Sequence, residues 1–180
     1  MINIETKPVL QSAKLLEHAL FLILLTLMVA TAVLVIWTIL DVREVGQMIA
    51  TSVGYASATL SSSQGYALSG IALTQIFVWI AVILRGKEIF AALGAGDAGS
   101  ASIASSQTAR LLWIMLIWGI IAQSLATLVT TWNFPEGERA ISISLGSAQI
   151  STIFAALLAT FTSHAFVLGA ALWQDHTEVI

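Results

Sequence analysis

Polar and apolar positions alternate along this chain in long blocks, and the blocks have the length of membrane crossings. No charged residue occurs from Ala19 to Leu40, and about 20 residues at 1.5 Å rise cover a hydrocarbon core of roughly 30 Å. Comparable stretches run from Tyr66 to Leu84, from Leu111 to Trp132 and from Ile143 to Trp173, the last interrupted only by His164. The pattern predicts four helical spans over about 16–40, 66–90, 109–132 and 143–173, joined by an outer loop at 41–65 and a cytoplasmic loop at 91–108. A basic lead with Lys7 and Lys14 before the first run also fits a signal peptide. The run exceeds the usual apolar region of roughly 7 to 15 residues, however, and ends in Asp41, Arg43 and Glu44 without a small-residue cleavage site. A retained first span is expected.

Between the runs, Gly46 to Gln64 is uncharged but rich in Ser, Thr, Ala and Gly, and Ser61, Ser62 and Ser63 read as loop. A short interfacial helix is the alternative for that segment. Gly94 and Gly96 are expected to stop the second helix, since glycine accepts the left-handed conformation at helix ends. Gly94 to Ser106 reads as a flexible loop, with Ser105, Ser106 and Thr108 as N-caps for the third span. Gly94, Gly96 and Gly99 match the spacing of a dinucleotide-binding turn, but such a turn must follow a strand, and here a span precedes it.

The fourth span has a second pattern. Ser147, Ser151, Ala155, Ala159 and Ser163 recur every four residues, and beside them run Ala148, Thr152, Ala156, Thr160 and His164. Residues four apart stack on one helix face, so these columns form a shallow groove. In lipid, bulky side chains gain little by leaving one hydrocarbon environment for another. Close approach of small residues and interhelical hydrogen bonds supply the attraction instead, so the columns are expected to face another helix.

Composition agrees with the blocks. At 58% hydrophobic and 9% charged, with a mean hydropathy of +0.92, the chain lies far from the roughly 25% charged average of soluble domains. The fold class expected is an all-α membrane protein, with four transmembrane helices in one bundle and 180 residues forming a single domain. The net charge of -3 is spread along the chain and suggests no nucleic-acid surface. With no cysteine there is no disulfide, thiolate metal site or cysteine nucleophile. Lys7, Lys14, Arg85, Lys87 and Arg110 fall on one side of the predicted topology, against Arg43 and Arg139 on the other. The positive-inside rule then places both termini and the Gly94 loop in the cytoplasm.

Candidate chemistry is sparse. Away from the span ends, His164 is the ionisable candidate inside a predicted span, and such residues carry a functional expectation by default. Paired with His18 it offers two nitrogens to a haem iron, as in bundle cytochromes. The plainer reading has His164 hydrogen-bonding across the small-residue groove, and no cofactor is expected. Gln75, Gln123 and Gln149 lie in or near three spans and could line a transport path, but amides are as readily interhelical hydrogen-bond partners. No nucleophile with a base and no metal-ligand spacing is present, so an enzyme is not expected.

The segment Leu84, Arg85, Phe90 and Gly94, followed by Ala109, Arg110 and Leu111, and the closing Gly169, Leu172, Asp175, Glu178, Val179 and Ile180 resemble a family of bacterial four-helix membrane proteins known as domain of unknown function 2975. The resemblance covers roughly the C-terminal hundred residues, with Asp97, Ala98, Gly99 and Ser100 standing where that family usually carries an aromatic. It implies a small inner-membrane protein, often encoded beside a helix-turn-helix regulator, with no catalytic residues to carry over. Taken together, these readings point to the lipid bilayer and to a membrane protein partner or a second copy of the chain, with transport or an oligomeric pore as the alternative.

Overall fold

The computed structural model describes residues 7–56, 58–143 and 145–178, with side chains over 12–56, 58–143 and 145–169. Val179 and Ile180, the end of the closing pattern shared with that family, lie outside the described residues. Five helices follow one another: α1 (Lys7–Leu40), α2 (Val42–Ser52), α3 (Ser62–Gly94), α4 (Ala98–Thr131) and α5 (Ser147–Glu178). Among the described residues there is no strand. Four stretches are long and apolar enough to cross a membrane: Ser12–Leu40, Ser62–Gly94, Ala98–Thr131 and Ser147–Gly169. The architecture is that of an all-helical, multi-pass membrane protein.

Many of the Thr residues within these helices bond backward to the carbonyl one turn earlier, which keeps their hydroxyls compatible with the helix. Thr31 donates to Leu27 at 2.7 Å, Thr74 to Gly70 at 2.7 Å, Thr130 to Ala126 at 2.7 Å and Thr160 to Ala156 at 2.7 Å. A hydroxyl satisfied on its own helix carries little cost into hydrocarbon.

The segments expected as loops are largely helical. In place of the outer loop at 41–65, α2 occupies Val42–Ser52 and α3 already starts at Ser62. Asp41 is the reason for the first change: its carboxylate accepts from the backbone N–H groups of Arg43 and Glu44 and so caps α2 one residue after α1 ends. At the other end Tyr55 N–H bonds the Ala50 carbonyl and Gly54 N–H the Thr51 carbonyl, with Gly54 at φ 96°. These are the two bonds of a Schellman termination, which needs a residue at positive φ. The serine run that read as loop is a capping box. Gln64 Oε1 accepts from Ser61 N–H, and Gln64 N–H reaches back to Ser61 Oγ at 3.3 Å.

The loop expected at 91–108 shrinks to three residues. Gly96 N–H bonds Leu93 and Asp97 N–H bonds Ala92, closing α3 with Gly96 at φ 74°. Asp97 then caps α4 through the Ser100 N–H at 2.9 Å and the Ser100 hydroxyl at 2.6 Å. Ser105, Ser106 and Thr108, expected as caps, lie inside α4, and Ser105 and Thr108 are buried. The glycine spacing that matches a dinucleotide turn therefore joins two helices. The fourth span, expected from 143, becomes helical only at Ser147, and Trp132–Gly146 connects it to α4.

The contacts divide the chain into two compact units. The first comprises Met1–Thr26, Ile80–Trp113 and Ser151–Ile180. Its described core joins Ala13 of α1, Val82 and Ile83 of α3, and Leu112 of α4 to small residues, Ala101, Ala104, Ser105 and Ala109 of α4 and Ala156 of α5. The second comprises Leu27–Trp79 and Ile114–Ile150. There Val45 and Ala50 of α2, Leu68 and Ser69 of α3, and Thr127, Thr130 and Thr131 of α4 are buried. Gly46 and Gly65 let α2 and α3 approach closely: a Cβ on Gly46 would stand 2.9 Å from Gly65 Cα, and one on Gly65 would stand 2.5 Å from the Val42 carbonyl oxygen.

Candidate functional site

In the first unit the small-residue columns of α5 meet small residues of α4. Ser105 Oγ donates to the Ala159 carbonyl at 3.0 Å, and Ser102 and Ser163 each direct a hydroxyl to the other's carbonyl at 3.4 Å. Ala156 is fully buried, while Thr152, Ala155, Ala159, Thr160 and Ser163 are partly covered. Ser151 is exposed, as is Ser147 at the start of α5 in the second unit. The face is thus closed in its middle by helix contact and open at the N-terminal end of the helix. Each serine hydroxyl that crosses to the other helix adds an interhelical bond worth about 0.6 to 2 kcal/mol in a membrane.

His164 does not bond across this contact. It is exposed on α5, one residue beyond Ser163. His18 is also exposed, and its Nδ1 lies 2.7 Å from the Lys14 carbonyl oxygen one turn earlier on α1. A ring nitrogen facing a carbonyl oxygen at that distance donates to it.

Close by on the same helix, Glu17 pairs with Lys87 of α3 at 3.8 Å, and the Lys87 ammonium sits 5.3 Å from the centre of the Phe21 ring. Arg85 pairs with Glu88 within α3 at 2.7 Å. Arg85, Glu88, Ser100, Ile103, Ala104 and Gln107 line an open cleft of about 310 Å³. Both ion pairs are substantially solvent-exposed and contribute little to stability. Asp97, at the turn between α3 and α4, has its carboxyl held below the ordinary carboxylate value by the Ser100 hydroxyl first and the Ser100 N–H second.

The second unit is organised by one amide that sequence reasoning passed over. Gln64 is buried; its Nε2 donates to the Val129 carbonyl of α4 at 2.7 Å, and its Oε1 accepts from Asn133 Nδ2 at 2.7 Å and from both the N–H and the hydroxyl of Ser61 at 2.9 Å. It ties the start of α3 to the end of α4. Thr131 Oγ1 accepts from Ala140 N–H at 3.1 Å and Ser124 Oγ donates to the Ser142 carbonyl at 3.0 Å, so the connection back to α5 is fastened along α4. The capping pattern Ser61-x-x-Gln64 was the available signal for Gln64.

Of the three amides expected near a polar path, Gln149 is engaged elsewhere. Its Oε1 accepts from Gly146 N–H at 2.9 Å and caps α5. Gln75 on α3 and Gln123 on α4 are half-buried. Trp118 of α4 carries a buried indole N–H that has no partner among the described residues. Also among the described residues, no three His, Cys, Asp or Glu side chains converge as a metal site would require. No protein-family model, curated protein or solved structure matches the chain.

Proposed function

We propose that this chain is a non-enzymatic membrane protein that works through helix–helix and protein–protein contacts. It serves as an accessory subunit of a membrane complex or as the membrane partner of a soluble regulator. One observation carries the reading: the polar side chains at the contacts spend their hydrogen bonds on neighbouring helix backbone, as Ser105 does on Ala159 and Gln64 on Val129. These are groups used for assembly, not groups held ready for a reaction. The resemblance of the C-terminal hundred residues to domain of unknown function 2975 supports the regulator's partner in particular, with the α3–α4 turn and the tail from Gln174 as the contact. The five-to-two distribution of basic residues supports a bacterial inner-membrane location with both termini cytoplasmic.

Purification from native membranes in mild detergent, followed by mass spectrometry of what copurifies, tests the reading. A stoichiometric membrane or regulatory protein is the expected result, and recovery of the chain with lipid alone would sink it. Transport retains Gln75 and Gln123 as half-buried amides but loses Gln149 to its cap. Uptake or leak by the purified chain in vesicles would revive that reading. Haem ligation by His18 and His164 predicts a Soret band, and we expect the purified protein to show none.

A further inference from the structure

We infer that α5 pairs with α5 of a second copy of this chain along the face carrying Phe154, Leu157, Phe161, His164 and Leu168. The inference rests on the helix-contact reading above and names its partner. These five positions follow one another at intervals of three, four, three and four residues, the spacing of a seam between two helices that wind left-handedly about each other. All five are exposed, the four apolar ones at 53% to 73%. The far side of the helix, about 150° around, carries Ala156, Ala159 and Ser163, the residues at the contact with α4.

A bulky apolar face alone suits lipid as well as protein. His164 separates the two. Ionisable side chains inside spans almost always face protein or a water-filled cavity, because hydrocarbon offers them no hydrogen bond. Here the ring lies within the apolar stretch Ser147–Gly169 and is exposed there. A second copy supplies what is missing. A neutral imidazole has one N–H donor and one unprotonated nitrogen, so it is complementary to itself. Copies inserted in the same orientation bring the two rings to the same depth, where one donates its N–H to the open nitrogen of the other. A partner of different sequence would have to place its own polar group at that depth. A single polar residue in an otherwise apolar seam is also the device that fixes register between paired helices.

The absence of cysteine makes the test direct, using the full chain in native membranes under copper-phenanthroline oxidation. Leu157→Cys and Phe161→Cys lie on the seam; Leu158→Cys and Val167→Cys are equally exposed but flank it. Seam positions are expected to give about fivefold more disulfide-linked dimer than flanking ones, as helix pairing through one face requires. In the Leu157→Cys background, His164→Leu should lower the yield about threefold, whereas His164→Asn, which keeps a donor and an acceptor, should preserve it. Equal yields on and off the seam, or no dimer at any position, would overturn the inference, and so would an adduct whose mass shows a different protein. Seam dimers without any copurifying protein would leave this inference standing while the subunit reading fails. A copurifying protein without seam dimers would do the reverse.

Discussion

At Gly65 the absence of a side chain is a structural requirement, because a Cβ there would lie 2.5 Å from the Val42 carbonyl oxygen, which is backbone and has no flexible end to give way. Gly65→Ala should therefore destabilise the protein by about 1 to 3 kcal/mol, the usual range for forced overpacking. Gly70, further along α3, is surrounded by open space, and a Cβ placed there would meet nothing within 4 Å. Gly70→Ala should be neutral or add up to about 1 kcal/mol from helix propensity. Melting temperatures of the two variants in one detergent decide it, and equal losses would show that the close approach does not matter. Gln64→Leu should cost more than an exposed substitution, since it removes the amide's bonds to the Val129 carbonyl, Asn133 and Ser61, each worth about 0.5 to 1.5 kcal/mol. Asp97 adds a pH dependence. Its folded-state value lies below the ordinary carboxylate value, so its capping contribution is complete above that ordinary value of 3.8 and is lost as pH falls through the lowered one. The melting-temperature gap between the native chain and Asp97→Ala should be present at neutral pH and close in strong acid. A gap that persists there would exclude the ionised cap.

Among the elements, α4 and α5 show how a membrane helix pair forms without large side chains. Ser102 and Ser105 of α4 meet Ser163 and Ala159 of α5, beside the fully buried Ala156, and the polar atoms of the contact are hydroxyls that reach the other backbone. Ala156→Leu puts three more heavy atoms where no surface is left, so the melting temperature should fall by an amount equivalent to about 1 to 3 kcal/mol. Leu158→Ala on the exposed side should change it little. If the two variants melt alike, the small-residue columns do not form the contact in solution. The helix α2 is a different kind of element: short, capped by Asp41, closed by Gly54 and buried through Val45, Gly46 and Ala50. Its small and polar residues, Gly46, Gln47, Thr51 and Ser52, are among those that made the segment read as loop. Glu44 also accepts from the Trp37 indole at 3.1 Å, binding the end of α1 to α2.

For the whole molecule, the positions of the basic residues predict orientation. Reporter fusions at Ile180 should be active as a cytoplasmic fluorescent protein and silent as alkaline phosphatase, and the opposite pattern would overturn the topology. The two compact units differ in what holds them. The first combines hydroxyl contacts between α4 and α5 with buried Val82, Ile83 and Leu112, and the second has a buried amide network around Gln64 and the glycine approach of α2 to α3. A partner or second copy that binds α5 acts on the first unit through a face that the chain itself leaves exposed.

By itself the sequence determined the membrane class and the existence of four spans, because charge-free runs of bilayer length have few other physical solutions. It also determined where α3 stops, since Gly96 is free to take the positive φ that a Schellman termination needs. Tertiary structure decided the rest. Whether Gly94 to Ser106 is a loop or the start of α4 depended on Ser102 and Ser105 finding α5 to bond to, and small polar residues look alike in a loop and in a helix contact. The role of Gln64 depended on the Val129 carbonyl and Asn133, both more than sixty residues away in sequence. The direction of His164 depended on which face of α5 met α4. Four-residue spacing identifies residues that share a face, but only the neighbouring helix determines whether that face is covered.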